Sequence, residues 1–168
     1  ILNRPLSGNV AFEVELEYPT HETSNFSLAL WTSEALPREL KSRAGGWLLW
    51  LPSGSSMSLL KWHNGPDQFD WIWYSKSKVL AQTPYHVPIR GRRYVVRLEA
   101  VGDRARVFLD GRLLLEGKRP ADAVGKDLPM YAAIGQIYAP ATVHAVRIYA
   151  LTESSLPQSP QSKEQPKP

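Results

Sequence analysis

Residues 91–117, GRRYVVRLEAVGDRARVFLDGRLLLEG, contain two dipeptides that leave the backbone little choice, Gly102-Asp103 and Asp110-Gly111. Glycine takes positive φ at no steric cost and aspartate tolerates it, so each pair closes a two-residue hairpin whose twist matches the flanking strands. Three segments of period-two alternation joined by two such turns make an antiparallel meander. The turns also set the register: Val101 faces Arg104, Glu99 faces Arg106, Arg97 faces Phe108, and Phe108 faces Leu113.

The two faces of this meander then separate. One carries Tyr94, Val96, Leu98, Ala100, Ala105, Val107, Leu109 and Leu114, a core surface. The other mixes Arg97, Glu99, Arg104 and Arg106 with Phe108, Leu113 and Leu115. A freely solvated face would be more uniformly polar, so a loop, a second layer or a partner is expected over it. Arg97, Arg106, Phe108, Leu113 and Leu115 are therefore read as an interaction surface. Arg93, Arg97, Arg104 and Arg106 also form a basic stripe, which Glu99 opposite Arg106 partly neutralises.

The rest of the chain continues in short strands. Asn9 to Tyr18 alternates strictly, with Glu13, Glu15 and Glu17 between apolar residues, and Asn25 to Thr32 is a second strand that could pair back on it. Ser33 to Gly46 is a polar break with room for one helical turn. Trp47 to Leu51 (WLLWL) is a continuous apolar run, suited to burial on both sides. Met57 to His63 and Phe69 to Ser75 form a hairpin across Asn64-Gly65-Pro66; Lys78 to Gln82 adds a further strand. After the meander, Pro120 to Val124 suits a single helical turn, and Tyr131 to Tyr138 and Thr142 to Leu151 close the domain. From residue 152 on, Ser, Pro, Gln and Lys dominate, so residues 1–151 are read as one β-sandwich domain and 152–168 as a tail or linker. No repeat or long helical period interrupts this pattern. About ten short strands at regular spacing indicate an all-β, antiparallel two-sheet sandwich, a jelly roll.

Composition narrows function by exclusion. There is no cysteine among 168 residues, which removes disulfides, thiolate metal sites and cysteine nucleophiles together. No apolar run approaches membrane-spanning length. The net charge of +4 admits an anionic partner, but the basic residues are scattered and no helix or RNA-binding module organises them, so nucleic acid is not expected. The chain begins at Ile1 and is read as a piece of a larger protein, with other domains of that protein among its partners.

VFLDGRLLLEG together with the ending AAIGQIYAPATVHAVRIYAL resembles the C-terminal half of concanavalin A-like lectin/glucanase domains, and within them the laminin G-like group and the bacterial domain related to 3-keto-disaccharide hydrolases. Asp110-Gly111, Gly135 and Val143 to Leu151 occupy the places of the turn, the glycine-bearing strand and the last strand of that pattern. The resemblance implies a jelly roll, carbohydrate as ligand and an extracellular or periplasmic setting. It also implies a strand pair before Asn9 that this chain begins too late to contain.

Sugar is held by aromatic rings packed on the C–H face of a pyranose while Asp, Asn, Gln or Lys take its hydroxyls. Trp62, Trp71 and Trp73, with Asn64, Asp67 and Asp70 in and beside the adjoining turn, are the ligand-binding set; the competing reading is that these rings fill the core. The arginine stripe adds an anionic glycan, sulfated or uronic, as an option. Glu13, Glu15 and Glu17 invite comparison with the glucanase branch, whose catalytic strand presents alternating carboxylates into a cleft. Residues two apart on a strand are about 6.6 Å apart, near the separation of a retaining carboxylate pair, but Glu15 stands where an Asp is expected and alternating charge is also ordinary amphipathicity. No catalytic residue is assigned. His21, His63, His86 and His144 match no metal spacing, with His144 read as a packed strand residue, and no cofactor is expected, although calcium on isolated carboxylates stays open. The leading function is a non-catalytic carbohydrate-binding module, with a structural or protein-interaction module and a glycoside-cleaving enzyme of glucanase type as alternatives.

Overall fold

The computed structural model describes residues 5–17, 24–33, 44–52, 58–64, 77–84, 91–124, 126–138 and 141–152. These form ten strands: β1 (Val10–Glu17), β2 (Ser24–Ser33), β3 (Ala44–Pro52), β4 (Ser58–Asn64), β5 (Ser77–Thr83), β6 (Arg93–Val101), β7 (Arg104–Leu109), β8 (Arg112–Lys118), β9 (Met130–Tyr138) and β10 (Thr142–Ala150). They make two five-stranded antiparallel sheets, ordered β10-β1-β6-β7-β8 and β5-β4-β3-β2-β9. The all-β sandwich is therefore observed, with no helix among the described residues.

The meander is β6, β7 and β8, in the register that its turns dictate from Val101↔Arg104 through Arg97↔Phe108. Gly102 has φ of 56°, and Asp110 and Gly111 have 48° and 78°, so both corners use the positive φ that selected those residues. Asp110 is further pinned by its neighbours. Its amide donates to the Val95 carbonyl at 2.8 Å, and its Oδ1 accepts from the Val95 amide at 2.9 Å.

One register step is not legible in the sequence. Phe108 pairs with Leu113, but Val107 pairs with Leu115, so Leu114 is the extra residue of a β-bulge. The bulge turns Leu115 to the inner face, where it is 4% exposed within the core cluster. Leu113 stays outside at 56% exposed. Leu115 is thus removed from the expected interaction surface. Three consecutive leucines leave an apolar residue on each face in either register, so hydrophobic patterning could not reveal the shift.

Strand β2 does not pair with β1. Both edges of β1 are taken, by β10 and β6, and β2 lies in the other sheet between β3 and β9. Strand β3 is buried on both sides as its unbroken apolar run requires: Trp47, Leu49 and Leu51 point into the core and Leu48, pointing away, is buried as well. The segment Phe69 to Ser75, expected as the hairpin partner of β4, lies outside the described residues; the strand seen beside β4 is β5, Ser77–Thr83. Pro120 to Val124 forms a hydrogen-bonded turn, Ala123 N–H to Pro120 carbonyl at 3.1 Å, and not a helix.

The core joins the inner faces: Phe12, Val14 and Leu16 from β1 and Val96, Leu98 and Val107 from the meander meet Phe26, Leu28, Leu30, Trp47, Leu49, Leu60 and Trp62. Trp47 and Trp62 face each other across β3 and β4 with ring centroids 5.0 Å apart and planes at 88°. Such an edge-to-face pair contributes about 0.5–1.5 kcal/mol beyond its buried area. The Arg119 guanidinium caps both rings at 5.6 and 5.2 Å, and it donates from Nη2 to the Gly102 carbonyl at 2.8 Å. Arg119 thereby ties the β6–β7 corner to the tryptophan pair.

Candidate functional site

Two surfaces of the sandwich carry the candidate chemistry. On the sheet β10-β1-β6-β7-β8, the outward residues of β1 are Glu13, Glu15 and Glu17. Each is matched with a basic side chain. Glu13 accepts from Arg147 at 3.2 Å, Glu15 from Arg93 at 3.3 Å, and Glu17 lies 2.8 Å from His144 Nε2. His144 is the extra residue of a bulge where β10 slips between Glu15 and Leu16 of β1, so it is exposed at the sheet surface and not packed as a strand residue would be. Carboxylates paired in this way along one sheet face read as an ion-paired strand surface.

The basic stripe is also internally matched. Glu99 stands opposite Arg106 in register, but its ion pair is with Arg97 on its own strand, at 2.6 Å, while Arg106 donates to Glu116 of β8 at 3.2 Å. Arg97 additionally lies over the Tyr149 ring at 5.6 Å. Of the expected interaction surface, Arg97 and Arg106 are engaged in this network and Leu115 is in the core. Phe108, half-buried, and exposed Leu113 are what remains of its apolar part.

The second surface is the outer face of β3, β4 and β5. Because Leu60 and Trp62 point into the core, Lys61 and His63 point away from it. Register places Leu48 and Val79 on either side of Lys61, and Gly46 and Ser77 on either side of His63. Lys61 Nζ lies over the Trp50 ring at 5.5 Å, and His63 Nδ1 is 3.0 Å from Ser77 Oγ. Lys61 and His63 are buried although they face outward, at 8% and 0% exposure. Burial removes water from the Lys61 ammonium and lowers its pKa from the ordinary lysine value. An indole, an ammonium, an imidazole and a hydroxyl therefore lie together across three strands, the ammonium and imidazole buried and the other two partly exposed. Together they bring a ring face, an ammonium, an imidazole and a hydroxyl onto one sheet.

Sequence reasoning singles out other members of this region. Trp62 does not belong to it: the ring is 1% exposed, on the inner face against Trp47, because its parity on β4 is that of Leu60. The residues that do belong are one position away on either side. Lys61 and His63 follow from the same alternation that assigns Leu60 and Trp62 to the core. Asn64 is the last residue of β4, level with Gly45 of β3. Asp67, Asp70, Trp71 and Trp73 lie outside the described residues, in the connection whose two ends, at His63-Asn64 and Ser77, flank the patch.

A cleft of about 640 Å³ opens at one end of the sandwich, lined by Leu6, Asn9, Arg119, Lys126, Asp127 and Met130 among others. Two of its polar residues are engaged with the fold: Arg119 donates to the Gly102 and Lys126 carbonyls, and Asn9 Oδ1 accepts the Gly102 amide at 3.0 Å. Among the described residues no group of three or more His, Asp or Glu converges on a metal-binding arrangement.

The sandwich is similar to solved lectin-type structures. Sheep galectin-11, in complex with glycerol, matches with a TM-score of 0.58 at 7% identity, covering 87% of this chain and 93% of that one. The Caenorhabditis elegans galectin LEC-6 matches at 0.57 and 13% identity, covering 89% and 90%, and the carbohydrate-binding module CBM66 from Bacillus subtilis at 0.54 and 15%, covering 86% and 76%. No protein-family model and no curated protein sequence matches the chain. The domain thus shares the fold of these structures, a two-sheet jelly roll, as its meander and closing strands lead one to expect.

Proposed function

We propose that this domain is a non-catalytic carbohydrate-binding module of a larger protein, and that it takes its glycan on the outer face of β3, β4 and β5. The observation that carries the reading is the outer face itself: the Trp50 ring and the Ser77 hydroxyl, both partly exposed, lie on one sheet with Lys61 and His63 buried between them as their supports. The similarity to two galectins and a carbohydrate-binding module supports a glycan as the ligand class. Asn64, at the end of β4, and Asp67, Asp70, Trp71 and Trp73, from the connection between β4 and β5, are proposed to complete the site. A module of this kind works outside the cytoplasm, where polysaccharide is accessible, with residues 152–168 as the linker to a neighbouring domain. No cofactor is required by this reading.

An array of neutral and anionic oligosaccharides tests it. Saturable binding is expected, weakened at least about tenfold, or 1.4 kcal/mol, by Trp50→Ala and by the pair Trp71→Ala and Trp73→Ala. An array with no saturable ligand, or binding untouched by these variants, would remove the proposal. The glucanase alternative is the less favoured, because Glu13, Glu15 and Glu17 are paired with Arg147, Arg93 and His144 on the outer face of the other sheet.

A further inference from the structure

The cleft at the end of the sandwich follows from how the chain enters its two sheets. Residues 5–9 lead into β1 and residues 126–129 into β9, and β1 and β9 belong to different sheets. The two segments meet at Leu6, whose amide donates to the Met130 carbonyl at 2.7 Å while the Met130 amide donates to the Leu6 carbonyl at 3.3 Å. Both segments line the cleft, and its volume of about 640 Å³ falls within the roughly 300–1,000 Å³ of small-molecule sites. A β-carbon added at Gly8 or at Gly102, two of the lining residues, would meet nothing within 4 Å.

The lining is of two kinds. Leu6 and Met130 pack against the core cluster and half-buried Leu128 lies near them in sequence, which makes one part aliphatic. No aromatic ring is found among the described lining residues, so this is not a place where a sugar could stack. The other part is cationic. Arg92, Arg93, Arg97, Arg104, Arg106 and Arg147 each lie 3.3 Å or less from a carboxylate oxygen. Arg119 is held differently, by the Lys126 and Gly102 carbonyls at 3.3 and 2.8 Å and by the two tryptophan rings, and its buried Nε has no hydrogen bond. Carbonyls and rings orient a guanidinium but do not neutralise it. Exposed Lys126 adds a second cation, and Asp127 is the one carboxylate of the described lining. Two cations against one carboxylate leave room for one further negative charge.

We infer that this cleft is a second binding site, for a small aliphatic monocarboxylate whose carboxylate is taken by Arg119 and Lys126 and whose hydrocarbon chain lies along Leu6, Leu128 and Met130. A carboxylate accepts charge-assisted hydrogen bonds from both cations, and the hydrocarbon chain leaves water against the aliphatic residues. A neutral alcohol of the same length would leave the cations unmatched. A dianion would exceed the positive surplus and face Asp127, and an acid without a chain would forgo the apolar contact. The site shares no residue with the outer face of β3, β4 and β5, so it stands whether or not a glycan binds there.

Octanoate is the probe, titrated into the full 168-residue chain and followed by calorimetry and by amide-resolved NMR. Saturable binding is expected, with the largest shifts at the amides of Gly8, Gly102, Lys126 and Met130. Octanol and acetate should each bind at least about tenfold more weakly, the first for want of a charge and the second for want of a chain. Lys126→Glu should weaken octanoate at least about tenfold, and Trp50→Ala should leave it unchanged. Lys126 is exposed, so its variant should keep the wild-type circular dichroism; the comparison of the three probes on the unaltered chain decides the matter even where it does not. Absence of saturable octanoate binding, octanol bound as tightly as octanoate, or shifts centred on β3, β4 and β5 would each overturn the inference. Octanoate binding that a folded Lys126→Glu variant retains in full would overturn it too.

Discussion

The two long sides of this sandwich are finished in opposite ways. Where β5 meets β8, the sheets touch: Leu80 of β5 packs on Gly117 of β8, so closely that a methyl group added to Gly117 would stand 2.8 Å from the Leu80 Cβ. Leu115, delivered inward by the β8 bulge, and the Trp62 ring fill the space behind them. Where β9 meets β10, inward-facing valines remain in water. The difference is not one of sequence hydrophobicity, since TVHAVRIYA reads as apolar as RLLLEGK. It is one of what stands opposite, and it separates a sealed side from one whose inward valines, Val143 and Val146, are 40% and 45% exposed.

Mutations can break this contrast. The largest effect should come from Trp62→Ala, which empties the core behind the closed side and should cost about 3–5 kcal/mol in urea unfolding. Val146→Ala on the open side should cost well under that, within about 0.5–1 kcal/mol, because the valine is only partly removed from water. Equal losses would contradict the description of the two sides. Next, Leu115→Ala should cost about 2–5 kcal/mol and Leu113→Ala about 0.5 kcal/mol or less. A reversed order would mean that β8 pairs in the unbulged register. Gly117→Ala should destabilise by about 1–3 kcal/mol, since the β-carbon of Leu80 belongs to no flexible side-chain end and the strands must part.

The smallest effect concerns the proposed sugar face. Burial lowers the Lys61 pKa in the folded chain relative to the usual 10.5, so between the lowered value and 10.5 the unfolded state binds more protons than the folded one. Stability contributed through Lys61 should therefore rise with pH across that alkaline window. Urea midpoints of the wild type and Lys61→Met, compared from neutral pH to about 10.5, should show the wild type gaining relative to the variant. A flat difference would indicate that the ammonium is better hydrated than its 8% exposure implies.

Much of the sandwich is readable from local chemistry. The positive-φ corners at Gly102-Asp103 and Asp110-Gly111 set the meander and its register, and the alternation of Val10 to Glu17 separates core from ion-paired surface. The site is less legible for a specific reason. A tryptophan satisfies both a core position and a sugar platform, so Trp62 suits a ligand set by its chemistry while its parity with Leu60 places it inside. Lys61 and His63 look like ordinary polar strand residues, since nothing in a linear sequence shows that an outward side chain will be buried.

Short-range information, namely turn residues and period-two patterning, was sufficient to determine that this chain forms antiparallel strands and which faces of most of them are apolar, because those choices depend on neighbours one to three residues away. Which strands share a sheet was decided only in three dimensions. The placement of β2 beside β9, the bulges at Leu114 and His144, the sealing of one side and the opening of the other depend on contacts between residues about a hundred positions apart, such as Ser27 with Gly135, |i−j| = 108. Such contacts form only when a whole sheet is available to pack against, and no local propensity encodes them.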